Sequence, residues 1–239
     1  TGGKQGLKSR SLQKLWTRDF VLVCASALAL WFGFYLLMPG VPKFAVEHLG
    51  LTAGQVGMAS GAMTLSAMLT RPFTGYALDR WGRRWINIGA ILAYSLVVLG
   101  LTGVRGLTML LLVRVLQGVP IASCTTSLST VAADLLPEGR RGEGMGYFAL
   151  AQTLPMAVAP GVALVLMRGG RYGQVFRTAS AVALCAALLA YLAHHPRVQN
   201  RDVRLSLRDL LEKRVFGIAG VMLLVAVGFG GIMSFITLY

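Results

Sequence analysis

A short run near position 80 holds one carboxylate among three arginines. The run reads Gly75, Tyr76, Ala77, Leu78, Asp79, Arg80, Trp81, Gly82, Arg83 and Arg84. Guanidinium groups around a carboxylate favour its charged form and can form strong ion pairs with it. Such a cluster can lock two helical bundles together in one state and release them in another, so we predict a conformational gate. The alternative is a basic loop that only fixes the orientation of the chain in a membrane.

Two glycines in this run predict local geometry. Gly75 favours the close approach of two helices, and Gly82 favours a tight turn. A second pair, Gly57 and Gly61, has the GxxxG spacing that is typical of helix packing in membranes.

An arginine also lies inside an apolar run, where Arg114 is followed by Gln117 and Gly118. An arginine at the centre of a membrane span costs roughly 2.5–3.5 kcal/mol on insertion scales, which makes it a functional candidate. A guanidinium does not release its proton. We therefore predict that Arg114 holds a water network, tunes a nearby carboxyl group or lines a solute path. The alternative is an arginine that only packs or snorkels.

Asp134 ends the same apolar run. It lies 20 residues after Arg114, or roughly 30 Å along a helix, so the two cannot pair. We predict that Asp134 reaches the cluster around Asp79 and Arg83. A carboxylate that merely ends a helix is the alternative.

Aromatic side chains form one face of the first apolar run. Trp31, Phe34, Tyr35 and Met38 follow the spacing i, i+3, i+4 and i+7. Facing a cavity, they would suit an apolar or aromatic ligand, and Thr125 is a further candidate for its lining. Facing lipid or another helix, they would only fill space.

Prolines and small residues recur in the fifth apolar run. We predict that they bend its helix and let a neighbour pack closely. The residues concerned are Pro155, Ala159, Pro160 and Gly161.

The whole composition is that of a membrane protein. Of 239 residues, 55% are hydrophobic and 13% are charged, about half the roughly 25% of soluble domains. The net charge of +14 does not indicate nucleic-acid binding, because the basic residues lie between long apolar runs. Seven runs are long enough to span a membrane as helices. They are Phe20–Met38, Val56–Tyr76, Trp85–Val104, Leu107–Val131, Met145–Met167, Phe176–Leu192 and Val215–Tyr239.

The basic residues also predict the orientation. With a cytoplasmic N-terminus, 17 of them fall in inner segments and five in outer ones, which supports that orientation. We predict a basic N-terminus (1–19), a six-helix bundle (20–193), a linking segment (194–214) with an amphipathic surface helix, and a seventh helix (215–239). Since the chain ends at this helix, we expect a piece of a longer protein.

Enzymatic chemistry is not indicated. No catalytic Ser-His-Asp or Cys-His arrangement occurs, the cysteines and histidines lack metal-ligand spacing, and no phosphate loop is present. We expect no cofactor and no metal. The apolar runs also hold no carboxylate at their centre, so a proton-coupling acid would lie at an interface or outside this segment.

These motifs resemble those of the major facilitator superfamily. The resemblance lies in the run from Gly75 to Arg84, with Ala77 and Leu78 as a small departure, and in the Arg114-x-x-Gln117-Gly118 motif. It implies an all-α membrane fold of two six-helix halves, each built from two inverted three-helix repeats. This chain would supply the first half and the first helix of the second.

The run from Thr130 to Phe148 is most similar to bacterial twelve-span drug:proton antiporters, in the group that includes staphylopine-type metallophore exporters. Pro160 fits their fifth-helix motif, whereas Ala159 replaces an expected glycine. The resemblance implies proton-coupled efflux of small organic molecules by alternating access, from a monomer in a bacterial plasma membrane. Asp79, Arg80, Arg83, Arg84 and Asp134 would form the inner gate.

In proton-coupled members the Arg114 motif is tied to proton transfer. The resemblance therefore implies that Arg114, Gln117 and Gly118 couple the proton or line the path. An importer of sugars, organic acids or other nutrients is an alternative of the same class. A receptor or scaffold without transport is a remote alternative.

Overall fold

The computed structural model describes residues 15–194 and Gly220. In this part of the chain the regular structure is helical, without strands. The all-α prediction is confirmed, and a helix corresponds to each of the first six predicted spans. We number these helices α1 Arg18–Glu47, α2 Ala53–Trp81, α3 Arg83–Gly100, α4 Leu107–Leu135, α5 Arg141–Leu166 and α6 Tyr172–Leu192.

The chain divides into two compact units, Thr1–Asp202 and Val203–Tyr239. All six helices belong to the first unit. Apart from Gly220, the predicted seventh helix lies outside the described residues, as does nearly all of the linking segment.

Side-chain caps define the starts of the first two helices. Thr17 accepts a hydrogen bond from the Phe20 amide at 3.2 Å at the start of α1. At α2, Thr52 and Gln55 cap each other's backbone amides at 3.4 and 2.9 Å, as a capping box does. These local bonds satisfy amide groups that have no partner inside the helix.

The run near position 80 is mostly helical, although the predicted spans Val56–Tyr76 and Trp85–Val104 leave it between two helices. α2 continues to Trp81 and α3 begins at Arg83, so only Gly82 separates them. Gly82 has φ +86°, a conformation that residues with a Cβ rarely adopt. The chain therefore reverses at a single glycine, and Arg83 stands at the start of a helix.

Five of the six helices are long and apolar enough to cross a membrane, judged by length and composition. α2 is the exception, although its 29 residues are sufficient in length. Its sequence contains Arg71 and several serine and threonine residues. The less apolar helix is also the one that lies along α4, which carries Arg114.

The helix pairs show an internal symmetry. α2 packs on α4 and α5 packs on α1; α1 packs on α6 and α4 packs on α3; α3 and α6 pack on each other. Exchanging each helix with the one three positions away in sequence reproduces this set of pairs. Such a pattern is what two repeated three-helix units produce.

Small side chains and hydroxyl groups join the helices. Ser95 on α3 and Ser180 on α6 exchange hydrogen bonds of 2.9–3.0 Å with each other's hydroxyl and carbonyl groups. Ser26 on α1 donates to the Ala186 carbonyl of α6 at 2.8 Å. Interhelical hydrogen bonds of this kind contribute about 0.6 kcal/mol each on average in a membrane.

Candidate functional site

One end of the bundle contains an ion pair between α3 and α4. Arg83, the first residue of α3, pairs with Asp134 in the last turn of α4. Their side chains are only 10% and 22% exposed, so solvent screens the pair weakly. Asp79, four positions earlier, also attracts Arg83 electrostatically. Because a cation is unfavourable at a helix N-terminus, these acids stabilise Arg83 where it stands.

The other two arginines of the cluster point to different partners. Arg80 donates a hydrogen bond to the Tyr76 hydroxyl one turn earlier on α2. Arg84 donates to the Tyr191 carbonyl of α6 at 3.4 Å and lies 5.3 Å from the centre of the Tyr191 ring. The structure thus brings Asp134 to Arg83, and it directs Arg84 towards α6.

Close helix contact occurs at Gly118, and the described residues show no such contact at three other glycines. A Cβ on Gly118 would meet the Met63 carbonyl oxygen and would lie 2.8 Å from the Ala67 amide nitrogen. Among the described residues, no atom lies within 4 Å of a Cβ built on Gly57, Gly61 or Gly75. Gly118 therefore permits a close approach of α2 and α4 at this point.

Arg114 is buried in the part of α4 nearer the opposite end of the bundle. Only 6% of the residue is exposed. Its Nη1 donates to Gln117 Oε1 at 3.2 Å and to the Met63 sulfur at 3.3 Å. Its Nε has no hydrogen-bond partner among the described residues. Helix periodicity places Arg114 and Gln117 on one face, one turn apart.

A cavity of about 240 Å³ lies beside this arginine, between α1, α2 and α4. Its wall combines apolar side chains from α1 with hydroxyl, thioether, guanidinium and amide groups from α2 and α4. The lining residues are Phe34, Leu37, Met38, Pro42, Ser60, Met63, Thr64, Arg114 and Gln117. Such a mixture suits a ligand that has both an apolar and a polar part.

Only part of the predicted aromatic face reaches this cavity. Phe34 and Met38 line it. Trp31 and Tyr35 stack on each other with ring centres 5.5 Å apart and lie outside its lining. Thr125 donates to carbonyls of its own helix at 3.0 and 3.1 Å and is also outside. Two of the four residues on the predicted aromatic face therefore line this cavity, and the other two do not.

Sequence reasoning missed the contribution of α2. Ser60, Met63 and Thr64 carry no charge and belong to no recognised motif, so nothing in their types marks them as lining residues. The available signal was the polar character of α2, the least apolar of the six helices.

Some residues of the predicted fifth-helix motif, which lies on α5, are buried and others are partly or fully exposed. Ala159 is fully buried, and Pro155 lines a cavity of about 220 Å³ with residues of α1. Gly161 has no described atom within 4 Å of a built Cβ. α5 packs on α1, and of these two small residues Ala159 is buried whereas Gly161 is exposed in the described part of the chain. Pro160 lies inside the helix, next to this contact.

A second polar contact at the opposite end was also missed. The Tyr172 hydroxyl at the start of α6 donates to the Glu47 carboxylate at the end of α1. Glu47 also pairs with Lys43 at 3.8 Å. Neither residue belongs to a motif, and 125 positions separate Glu47 from Tyr172.

Comparisons with known proteins identify this arrangement. The sequence profile of the Major Facilitator Superfamily matches residues 23–239. The chain is 29% identical over 211 residues to a staphylopine export protein of Staphylococcus aureus, covering 81% of this chain and 51% of that protein. It is 26% identical over 220 residues to the Staphylococcus aureus quinolone resistance protein NorA, with 88% and 54% covered.

Solved structures show the same fold. A human organic anion transporter, MFSD10, aligns with a TM-score of 0.64 at 19% identity, covering 81% of this chain and 52% of that one. A D-xylose-proton symporter aligns with a TM-score of 0.61 at 14% identity, with 89% and 54% covered. The described helices therefore have the fold of one half of such transporters.

The chain belongs to the Major Facilitator Superfamily of membrane transporters, as its motifs predict, and not to a class of enzymes. It spans about half the length of the curated relatives it matches.

Proposed function

We propose that the protein is a proton-coupled exporter of small organic molecules that works by alternating access. The observation that carries the proposal is that two features occur on the same helix, α4. A shielded ion pair at one end joins α4 to α3, and a cavity containing a buried arginine lies about 30 Å away along the helix. The export direction is supported by the relatives named as a staphylopine export protein and quinolone resistance proteins.

In this proposal the ion pair acts as a gate. Arg83, Asp134 and Asp79 hold the ends of α2, α3 and α4 together in one state, and the contact loosens in the other. Arg84 restrains α6 through Tyr191, and Arg80 is held by Tyr76 on its own helix. Because both arginine and carboxylate are shielded, separation requires water to enter, which makes the contact a two-state element.

In this proposal the protein is a monomeric transporter in a bacterial plasma membrane. Its N-terminus and the Arg83–Asp134 end of the bundle face the cytoplasm. Its partners are a small organic solute, protons and lipid. The domain division stays as predicted: a basic N-terminus, a six-helix bundle, a linking segment and a seventh helix. A tag fused to the N-terminus should then be accessible in everted vesicles and protected in intact cells.

Everted membrane vesicles test the transport function. The protein is expressed from its complete gene, the vesicles are energised, and a pH-sensitive dye reports the imposed gradient. We expect organic solutes to accumulate in the vesicle lumen and to dissipate the pH gradient only when the protein is present. Accumulation with the opposite gradient would indicate import, and the absence of any protein-dependent movement would contradict transport.

The gate is tested by Asp79→Asn, which removes the second attraction on Arg83. We expect normal membrane insertion and slower transport. Glu138→Gln is the matched control, since Glu138 is an exposed acid just after α4. Normal transport by the Asp79 variant would contradict the gate assignment.

A further inference from the structure

We infer that the cavity beside Arg114 binds the carboxylate end of an amphipathic organic solute, with Arg114 as the anion-binding residue. The inference rests on the transporter function proposed above and names the solute class for the same site. Its starting point is a charge that the described part of the chain does not neutralise.

Arg114 is buried, yet its hydrogen-bond acceptors are neutral. The Gln117 amide oxygen and the Met63 sulfur are polar but carry no charge. Buried charges in proteins are normally paired, because removing an ion from water without an opposite charge is unfavourable. An anion that enters the cavity would supply the missing charge.

The acids of residues 15–194 do not supply it. All six lie at or near helix ends. Asp134, on the same helix, pairs with Arg83 and is about 30 Å away. Glu47, near the opposite end, is engaged by Lys43 and Tyr172. Within this part of the chain, Arg114 forms no ion pair.

The geometry of the guanidinium fits a carboxylate. Nη1 is occupied by Gln117 and Met63, and Nε, which lies on the other edge of the planar fork, has no partner among the described residues. A planar guanidinium can bind two carboxylate oxygens side by side along one edge, and the Nε edge has no hydrogen-bond partner at Nε among the described residues. A cationic solute would instead be repelled by Arg114.

The remaining wall indicates an amphipathic solute. Phe34, Leu37 and Met38 from α1 give one side of the cavity an apolar surface. The volume of about 240 Å³ is below the roughly 300–1,000 Å³ of sites for drug-sized ligands. The site therefore accommodates the carboxylate and the adjoining apolar part, while the rest of the solute extends beyond the described residues.

Three probes that share one fluorophore and differ in charge test whether the cavity binds a carboxylate. Dansyl-leucine carries a carboxylate, dansyl-leucinamide is neutral, and dansylcadaverine is a cation. Binding is measured by fluorescence titration of the purified protein, produced from its complete gene, in detergent. We expect the carboxylate to bind about ten- to hundredfold more tightly than the amide, since charge-assisted hydrogen bonds have this effect. The cation should bind most weakly.

Variants at Arg114 separate anion binding from packing. Arg114→Gln should remove the preference for the carboxylate and leave the affinity for the amide within about twofold. Arg114→Lys retains the charge and loses the planar fork, so it should retain part of the preference. Arg105→Gln is the control, because Arg105 is exposed in the segment between α3 and α4. If Arg114→Gln does not fold, Arg114→Lys decides.

Equal binding of carboxylate and amide by the unaltered protein would overturn the inference. So would an equal loss of both probes in the Arg114 variants, which would show a packing role. Transport in vesicles is scored separately. Selective binding without transport would contradict the exporter proposal and leave the anion site standing; transport without carboxylate preference would contradict the anion site alone.

Discussion

Two buried arginines of this bundle differ in how their charges are neutralised. Arg83, at the start of α3, pairs with Asp134 and is attracted by Asp79. Arg114, inside α4, has only the neutral acceptors Gln117 and Met63 among the described residues. A charge paired within the chain holds helix ends together. A charge without such a partner remains available to an anion from outside.

The largest expected effect comes from breaking the paired arginine. Asp134→Asn leaves Arg83 shielded without its acid, and we expect a loss of about 3 kcal/mol in the free energy of unfolding, near the lower bound for broken buried pairs because Asp134 is 22% exposed. Arg114→Gln leaves no carboxylate unpaired and should change stability by about 1 kcal/mol or less. Denaturant unfolding in mild detergent measures both. Equal losses would contradict the comparison.

The contact between α2 and α4 is the next test, because it positions the wall of the Arg114 cavity. Gly118→Ala forces a Cβ against the backbone of Met63 and Ala67, and we expect a destabilisation of about 1–3 kcal/mol. Gly61→Ala, on α2, meets no described atom within 4 Å. It should be neutral or stabilise by up to about 1 kcal/mol, as alanine does in a helix. The same unfolding assay compares the two, and an equal cost would show that the close approach is absent.

A smaller effect is expected where neutral groups join helices. Ser95→Ala removes the hydroxyl that bonds with Ser180, and we expect a loss of about 0.6 kcal/mol, the average for such bonds in a membrane protein. Ser129→Ala is the control, since the Ser129 hydroxyl bonds only within its own helix, to the Thr126 carbonyl at 2.9 Å. A loss as large as that of Asp134→Asn would show that charge is not what distinguishes the end of the bundle with the Arg83–Asp134 pair.

The smallest effect is expected for an exposed ion pair. Arg140 donates two hydrogen bonds of 2.9 Å to Glu143 at the start of α5. Because solvent screens exposed pairs, we expect Glu143→Gln to leave the unfolding temperature unchanged within error, at low and at high salt. A clear loss at low salt that disappears at high salt would mean that this pair contributes to holding the bundle together.

The helices could be predicted from the sequence because length and composition decide them. An apolar run of about 20 residues must satisfy its own backbone hydrogen bonds in lipid, and a helix is how one segment does so. The ends were less predictable. α1 continues through Pro39 and Pro42 to Glu47, and the run near position 80 is helical on both sides of Gly82, because motif residues tolerate helix as well as loop.

The residues of the candidate site could likewise be predicted only in part. Residue type and spacing singled out Arg114, Gln117, Arg83 and Asp134, since charge inside or beside an apolar run is rare enough to be noticed. Spacing along one helix also excluded a pair between Arg114 and Asp134. Which glycine permits a close approach could not be read, because Gly57, Gly61, Gly75 and Gly118 have the same chemistry and differ only in what lies opposite.

By itself, then, the sequence determined the helical membrane class and the transporter family, and it singled out the arginines as candidates. The tertiary structure alone decided their partners: Asp134 for Arg83, Tyr191 for Arg84, and neutral groups for Arg114. The physical reason is that composition and periodicity act within one helix, whereas a partner depends on the packing and rotation of another helix. That packing is a property of all the contacts together.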